Sequence, residues 1–240
     1  MSQQPATRHR FHDELRSLES QLAEMGELAA QAVHLAVQGL LHRDEQLARR
    51  VIEGDDAVDE LYLDLERRIL DLLALQTPVA SDLRLVSVIM HANLHVERVA
   101  DQAVNIAKLT LATRDLPSDQ TIMEYLAEMG DLVVRMLRAS IEALVRRDID
   151  LALNLPEMDD PVDLMNRNMY RHVVALADDP RKLEWGVLMD VVSRQLERVG
   201  DTAVDIGEQV SFLLTGEFRE FTDASHDVSP LPLTRPSSES

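Results

Sequence analysis

The sequence predicts an all-α fold made of two tandem three-helix bundles, and three observations carry that expectation. The 240 residues include only 8 Gly and 3% aromatics against 45% apolar content, a composition that favours helix over strand and suffices for one large or two smaller cores. Apolar residues recur every three or four positions along most of the chain. The chain also repeats itself: ERVADQAVNI, Glu97 to Ile106, and ERVGDTAVDI, Glu197 to Ile206, agree at seven positions of ten. At an offset of 104, EMGELAAQAVHLAVQGLLHRDEQLA from Glu24 meets EMGDLVVRMLRASIEALVRRDIDLA from Glu128. The same offset carries DDAVD, Asp55 to Asp59, onto DDPVD, Asp159 to Asp163.

Each element follows from its own pattern. Leu15, Leu18, Leu22, Met25, Leu28 and Ala32 mark a first helix from Phe11 to Leu41, ended by the polar His42-Arg43-Asp44 with Asp44 as cap of the next. Leu47, Val51, Val58, Leu61, Leu65, Ile69 and Leu72 carry the second to about Leu75, with Gly54 loosening it locally. The ring of Pro78 disfavours helical geometry at Thr77, and Ser81 or Asp82 is the expected cap of a third helix running to Thr113. Asp115-Leu116-Pro117-Ser118 is a linker, after which the pattern begins again. Pro156 stands where the first copy has Ile52, so the fifth helix is expected to kink or restart there. The sixth runs from about Lys182 to Leu214 and stops at Thr215-Gly216. The expected organisation is an unstructured stretch 1–10, a first bundle 11–116, a second 117–216 and an unstructured Ser- and Pro-rich tail 217–240.

Charge and composition narrow the function. A net charge of −19 repels phosphate backbones, and no basic stripe offsets it, so nucleic acid is not an expected partner. The absence of Cys excludes disulfides and thiolate metal sites. No apolar h-region opens the chain and no uncharged run approaches the roughly 18 residues of a membrane span, which predicts a soluble, intracellular protein. An activated nucleophile, a Gly-rich phosphate loop and a Ser/His/Asp set are all missing, so catalysis is not expected.

The repeated segments concentrate carboxylates. On a helix Glu97, Asp101 and Asn105 share one face, as do Glu197, Asp201 and Asp205, while Val88, Ala92, Val99, Ala103 and Ile106, and Val192, Val199, Ala203, Ile206 and Val210, form the opposite apolar faces. The carboxylates should therefore point outward and lie outside a bundle core. Like charges at i,i+4 cost roughly 0.2–0.5 kcal/mol on a plain helix, a cost that a hard cation removes. A solvated acidic face is the ordinary reading of one such pair; its recurrence in register favours metal. Asp55/Asp59 and Asp159/Asp163 supply a DxxxD on the middle helix of each copy, which antiparallel packing could bring to the ExxxD of the last. An all-oxygen set on a bundle surface suits a multinuclear cluster of Fe, Mn, Mg or Ca. No Glu-x-x-His occurs, which argues against a bundle di-iron enzyme. His91 and His95 stand at i,i+4 and could chelate, but Val191 and Gln195 replace them in the second copy, and they read as ordinary surface or satisfied histidines.

FHDELRSLESQLAEMG, from Phe11, the turn QTPVASDLR, Gln76 to Arg84, and ERVADQAVN with its copy ERVGDTAVD together resemble the PhoU family, phosphate-specific transport system accessory proteins, from Phe11 to Leu214. The resemblance implies two pseudo-twofold-related three-helix bundles in a non-catalytic cytoplasmic regulator, held at the inner face of the membrane through its partners. Those partners would be the nucleotide-binding subunit of the phosphate ABC transporter and a phosphate-sensing histidine kinase, with negative regulation of uptake and of the phosphate-starvation (Pho) regulon; a homodimer is also within expectation. It further implies iron first, or zinc, on Asp55/Asp59 with Glu97/Asp101 and on Asp159/Asp163 with Glu197/Asp201, with Asn105 and Asp205 as a further, unequal pair. The second copy has ADDPRKLEW where the first has the QTPVASDLR turn, so the halves need not serve equivalent partner surfaces. The alternative from another class is a metal-storage or metal-buffering protein.

Overall fold

The computed structural model describes residues 4–76 and 78–221, with side chains from residue 9 onward. Among them every regular element is a helix: α1 Gln4–His42, α2 Glu45–Leu75, α3 Ala80–Ala112, α4 Gln120–Arg146, the single-turn α5 Ile149–Leu153, α6 Leu155–Val174 and α7 Pro180–Thr215. The all-α expectation holds. α1, α2 and α3 pack on one another as one bundle, and α4, α6 and α7 form the second, with α5 lying against α7. The bundles join along two seams, α1 on α4 and α3 on α7. No helix among the described residues is long and apolar enough to cross a membrane.

Local chemistry sets the boundaries. Asp44, Asp119, Asp148 and Asp179 each accept hydrogen bonds from backbone amides at the start of α2, α4, α5 and α7. Asp44 and Asp148 are repeat equivalents, and each follows an Arg in the left-handed region, Arg43 at φ 54° and Arg147 at φ 57°. Arg43 uses that turn to donate to the carbonyls of Thr113, Arg114 and Leu116, where a cation meets the negative end of α3. Pro156 sits in the first turn of α6, where its missing N–H costs nothing, so the expected break becomes a restart. Gly216 closes α7 at φ 77° as the sequence predicts.

Two expectations, on where α1 and α3 begin, are corrected. α1 starts at Gln4, ahead of Phe11. α3 starts at Ala80, so Val79 is the cap residue, without a side-chain bond, and neither Ser81 nor Asp82 caps. α2 runs unbroken through Gly54. Thr77, and residues 1–3 and 222–240 of the terminal stretches expected to lack structure, lie outside the described residues.

The apolar faces foreseen for the repeated motif are buried throughout. Val88, Ala92, Val99, Ala103 and Ile106 have no exposed surface, and neither do Val192, Val199, Ala203, Ile206 and Val210. Leu18, Leu22 and Met25 of α1 and Ile122, Leu126 and Met129 of α4 fill the cores beside them, each such side chain contributing roughly 1.5–3 kcal/mol.

The α1/α4 seam depends on two glycines at equivalent positions of the Glu-Met-Gly repeats. A Cβ on Gly26 would lie 2.8 Å from Ile141 Cγ1, and one on Gly130 would lie 2.9 Å from both Cγ atoms of Val37. The offset that relates Gly26 to Gly130 also relates Val37 to Ile141, so the two contacts are copies of one knob-into-groove fit about a pseudo-twofold axis. Glu27–Arg138 at 2.6 Å and Glu19–Arg147 bridge the same seam.

Gly54, with nothing within 4 Å of its missing Cβ, is the natural control. Gly54→Ala should stabilise by roughly 0.5–1 kcal/mol, because only backbone entropy changes. Gly130→Ala should instead destabilise by about 1–3 kcal/mol, since the stiff β-branched Val37 cannot yield freely. Urea unfolding of both variants checks this; equal stabilisation would mean the seam tolerates a Cβ.

Candidate functional site

α2 and α3 run antiparallel, and so do α6 and α7, which sets each DxxxD against the ExxxD of its own bundle. In the first bundle Asp55 and Glu97 are half-buried, while Asp59 and Asp101 are exposed. Burial, then Asp59 and Asp101, pushes the Asp55 carboxyl above its ordinary range, with Lys108 opposing. Burial, then Asp101 and Asp59, does the same to Glu97. The four groups thus share one field, open to solvent on one side.

The second bundle draws its carboxylates closer. One oxygen each from Asp159, Asp163 and Asp201 lie within 4.8 Å of one another, with Asp159 only 4% and Asp163 only 5% exposed. Burial and then Asp163 raise the pKa of Glu197, which a hydrogen bond from Asn166 partly offsets. Arg167 approaches Asp163 at 3.6 Å from the rim. Pro161, between the two aspartates, cannot donate to the Glu157 carbonyl one turn back.

The expectation that all these carboxylates face outward is therefore corrected for Asp159 and Asp163, which are buried between α6 and α7. The physical reason is Gly200. A Cβ there would lie 2.3 Å from Asp159 Oδ1, so only glycine lets that carboxylate sit against the α7 backbone. The first copy carries Ala100 at the equivalent position, and its Asp55 stays half-exposed. The Ala/Gly difference at this position of the decapeptide was the available signal.

Asn105 and Asp205 lie elsewhere. α3 and α7 cross antiparallel, so Asn105 Nδ2 donates to Gln195 Oε1 at 3.4 Å and Asp205 Oδ2 stands 3.6 Å from His95 Nδ1. The two pairs are pseudo-twofold copies on the seam between bundles. Burial lowers the His95 pKa, with Asp205 pulling the other way and Arg98 and His91 adding to the fall. Burial raises that of Asp205, against the pull of His95 and Arg98.

The three-carboxylate set is chemically suited to a cation of the hard, oxygen-preferring class, and the glycine cradle beside Asp159 is what allows so close an approach. The PhoU domain model matches the chain twice, at residues 22–110 and 126–210. The chain belongs to the PhoU family. It is 32% identical over 208 residues to a phosphate-specific transport system accessory protein PhoU homolog of Zymomonas mobilis, covering 86% of this chain and 87% of that one. A homolog of the same description from Clostridium acetobutylicum is 30% identical over 221 residues, covering 90% of this chain and all of its own. The crystal structure of PhoU from Pseudomonas aeruginosa superimposes with a TM-score of 0.82 at 31% identity, over 86% of this chain and 100% of that one. The phosphate transport system regulatory protein PhoU of Streptococcus pneumoniae gives 0.80 at 28%, over 87% and 99%.

Two outcomes follow for the site. A carboxyl whose folded pKa is raised costs stability at neutral pH; the cost starts to fall as pH drops through that raised value and is gone below the unfolded one. In metal-free protein Glu97→Gln should therefore raise the melting temperature at pH 7 by roughly 1–2 °C, the size expected from one like-charge pair. The gain should vanish below the ordinary Glu value of 4.5; thermal melts across pH check the sign. Gly200→Ala should displace Asp159, and any divalent cation that the second site takes up should bind about tenfold or more weakly, read by calorimetric titration.

Proposed function

We propose that this chain is a regulatory accessory protein of phosphate transport, acting by docking rather than by catalysis. The observation that carries the reading is the match of both halves to the PhoU domain, supported by relatives that are themselves named phosphate transport accessory or regulatory proteins over most of their length. The acidic sequence fits a partner whose contact surface is basic or apolar. On this reading the chain links the nucleotide-binding subunit of a phosphate ABC transporter to a phosphate-sensing histidine kinase, restrains uptake and starvation signalling when phosphate is ample, and works at the cytoplasmic face of the membrane.

Metal belongs to the same proposal. Asp159, Asp163 and Asp201, with Glu197 beside them, would hold one ion or cluster, and Asp55, Asp59, Glu97 and Asp101 a second. Iron heads the candidates, with zinc, manganese, magnesium and calcium behind it. A bound cation supplies positive charge that neutralises neighbouring carboxylates and ties the middle helix of each bundle to its last. The protein's own share is to set those carboxylates in antiparallel register and, at Gly200, to make room for one of them.

A strain lacking the chain should express phosphate-starvation genes at high phosphate, and restoring it should silence them. Normal repression without the chain would end the regulatory reading. If the Asp159→Asn, Asp163→Asn variant loses that site's metal by elemental analysis yet silences the genes fully, the metal of the second bundle braces the fold without taking part in the signal. A phenotype that follows metal supply and ignores phosphate would favour metal buffering, the reading that the buried carboxylates otherwise support.

A further inference from the structure

We propose that the face of α7 around Gly207, Glu208 and Phe212 is a docking groove for an extended partner segment with two aromatic residues three apart and a basic residue between them, and that the chain's own strap 217–221 occupies it in cis. Neither the phosphate reading nor metal at the acidic motifs bears on it.

Past Gly216, whose φ of 77° turns the backbone, the chain doubles back along α7. Phe218 stacks on Phe212 with centroids 3.8 Å apart and rings within 13° of parallel. Three residues on, the Phe221 amide donates to Glu208 Oε1 at 2.6 Å, and the Phe221 ring comes to 3.4 Å from the place a Cβ on Gly207 would take. Leu155 lies 2.5 Å from the same place, so bare backbone at Gly207 is what seats the ring and α6 together. The seat belongs to the second copy alone. At the equivalent positions the first has Ala107, Lys108 and Ala112, which offer no bare backbone, no side-chain acceptor and no ring.

The strap is held loosely and fits imperfectly. In the first copy Arg43 clasps the segment after α3 by its carbonyls, whereas the equivalent Arg147 turns to Leu144 and Glu19. The segment after α7 relies instead on α7 itself. Phe218 stays 74% exposed despite its stack, and an open cavity of about 430 Å³ remains, lined by Glu208, Gln209, Phe218, Arg219 and Glu220. A segment with so few buried contacts opens at low cost. Its charge also mismatches the groove. Burial raises the Glu208 pKa against the Phe221 hydrogen bond, and Asp205 and the strap's own Glu220 add to the rise as like charges. A basic residue in place of Glu220 turns that repulsion into attraction, so the groove favours an aromatic-x-basic-aromatic segment over the acidic strap it now holds.

The test is fluorescence anisotropy of a labelled synthetic peptide of residues 215–222 carrying Glu220→Lys, titrated with full-length protein. The Phe218→Ala, Phe221→Ala variant, whose strap no longer fills the groove, should bind it at one site at least about tenfold more tightly than wild type. Adding Phe212→Ala or Glu208→Gln to that variant should weaken binding by about tenfold or more, and the peptide with native Glu220 should bind less tightly. A cooperative thermal melt shows that each variant folds. In wild type, excess peptide should speed hydrogen exchange at the Phe221 amide, which gives up Glu208 as its partner. No binding to the strap-released variant, binding indifferent to both Phe212→Ala and Glu208→Gln, or an unchanged Phe221 amide at saturating peptide would overturn the assignment.

Discussion

The close approach of α1 and α4 at Gly26 and Gly130 is the constraint on which the rest of the molecule depends. Each glycine admits a β-branched side chain from the opposite helix into the space a Cβ would fill, Ile141 at one and Val37 at the other. Because the two contacts are copies, they fix the pseudo-twofold relation of the bundles along this seam and leave little freedom to slide. With α1 and α4 locked, α3 and α7 meet along the second seam in antiparallel register. That register is what sets His95 across from Asp205 and Asn105 across from Gln195.

Duplication gives the two halves the same frame, and single substitutions make them chemically unequal. The carboxylates of Asp55, Asp59, Glu97 and Asp101 share an open field at the surface. Their counterparts Asp159 and Asp163 are buried, because glycine at 200 replaces alanine at 100 and lets Asp159 settle against backbone. Burying carboxylates is costly unless charge or hydrogen bonds compensate. On the proposed reading a cation at the second site would add to that compensation. The seam repeats the lesson: a His/Asp pair on one side of the axis, a Gln/Asn pair on the other.

On the proposed reading the paired bundles, with their acidic clusters, serve as a scaffold for contacts. Membership of the PhoU family and the names of its relatives direct that scaffold to phosphate transport. The chemistry of the site adds a means by which metal occupancy would stiffen the pairing of middle and last helices.

The sequence by itself determined the helical class, the duplication, most helix ends and the buried face of each repeated motif, because these rest on periodicity and local capping at Asp44, Gly216 and the prolines. It also placed DxxxD and ExxxD on neighbouring helices. Which carboxylates are buried was decided only in three dimensions, since a helical wheel assigns a face but cannot show that a glycine on the neighbouring helix makes room there. The parting of Asn105 and Asp205 from the acidic clusters was likewise tertiary: they lie on the same wheel face as Glu97 and Glu197, and only the crossing of α3 over α7 turns that end toward the other bundle.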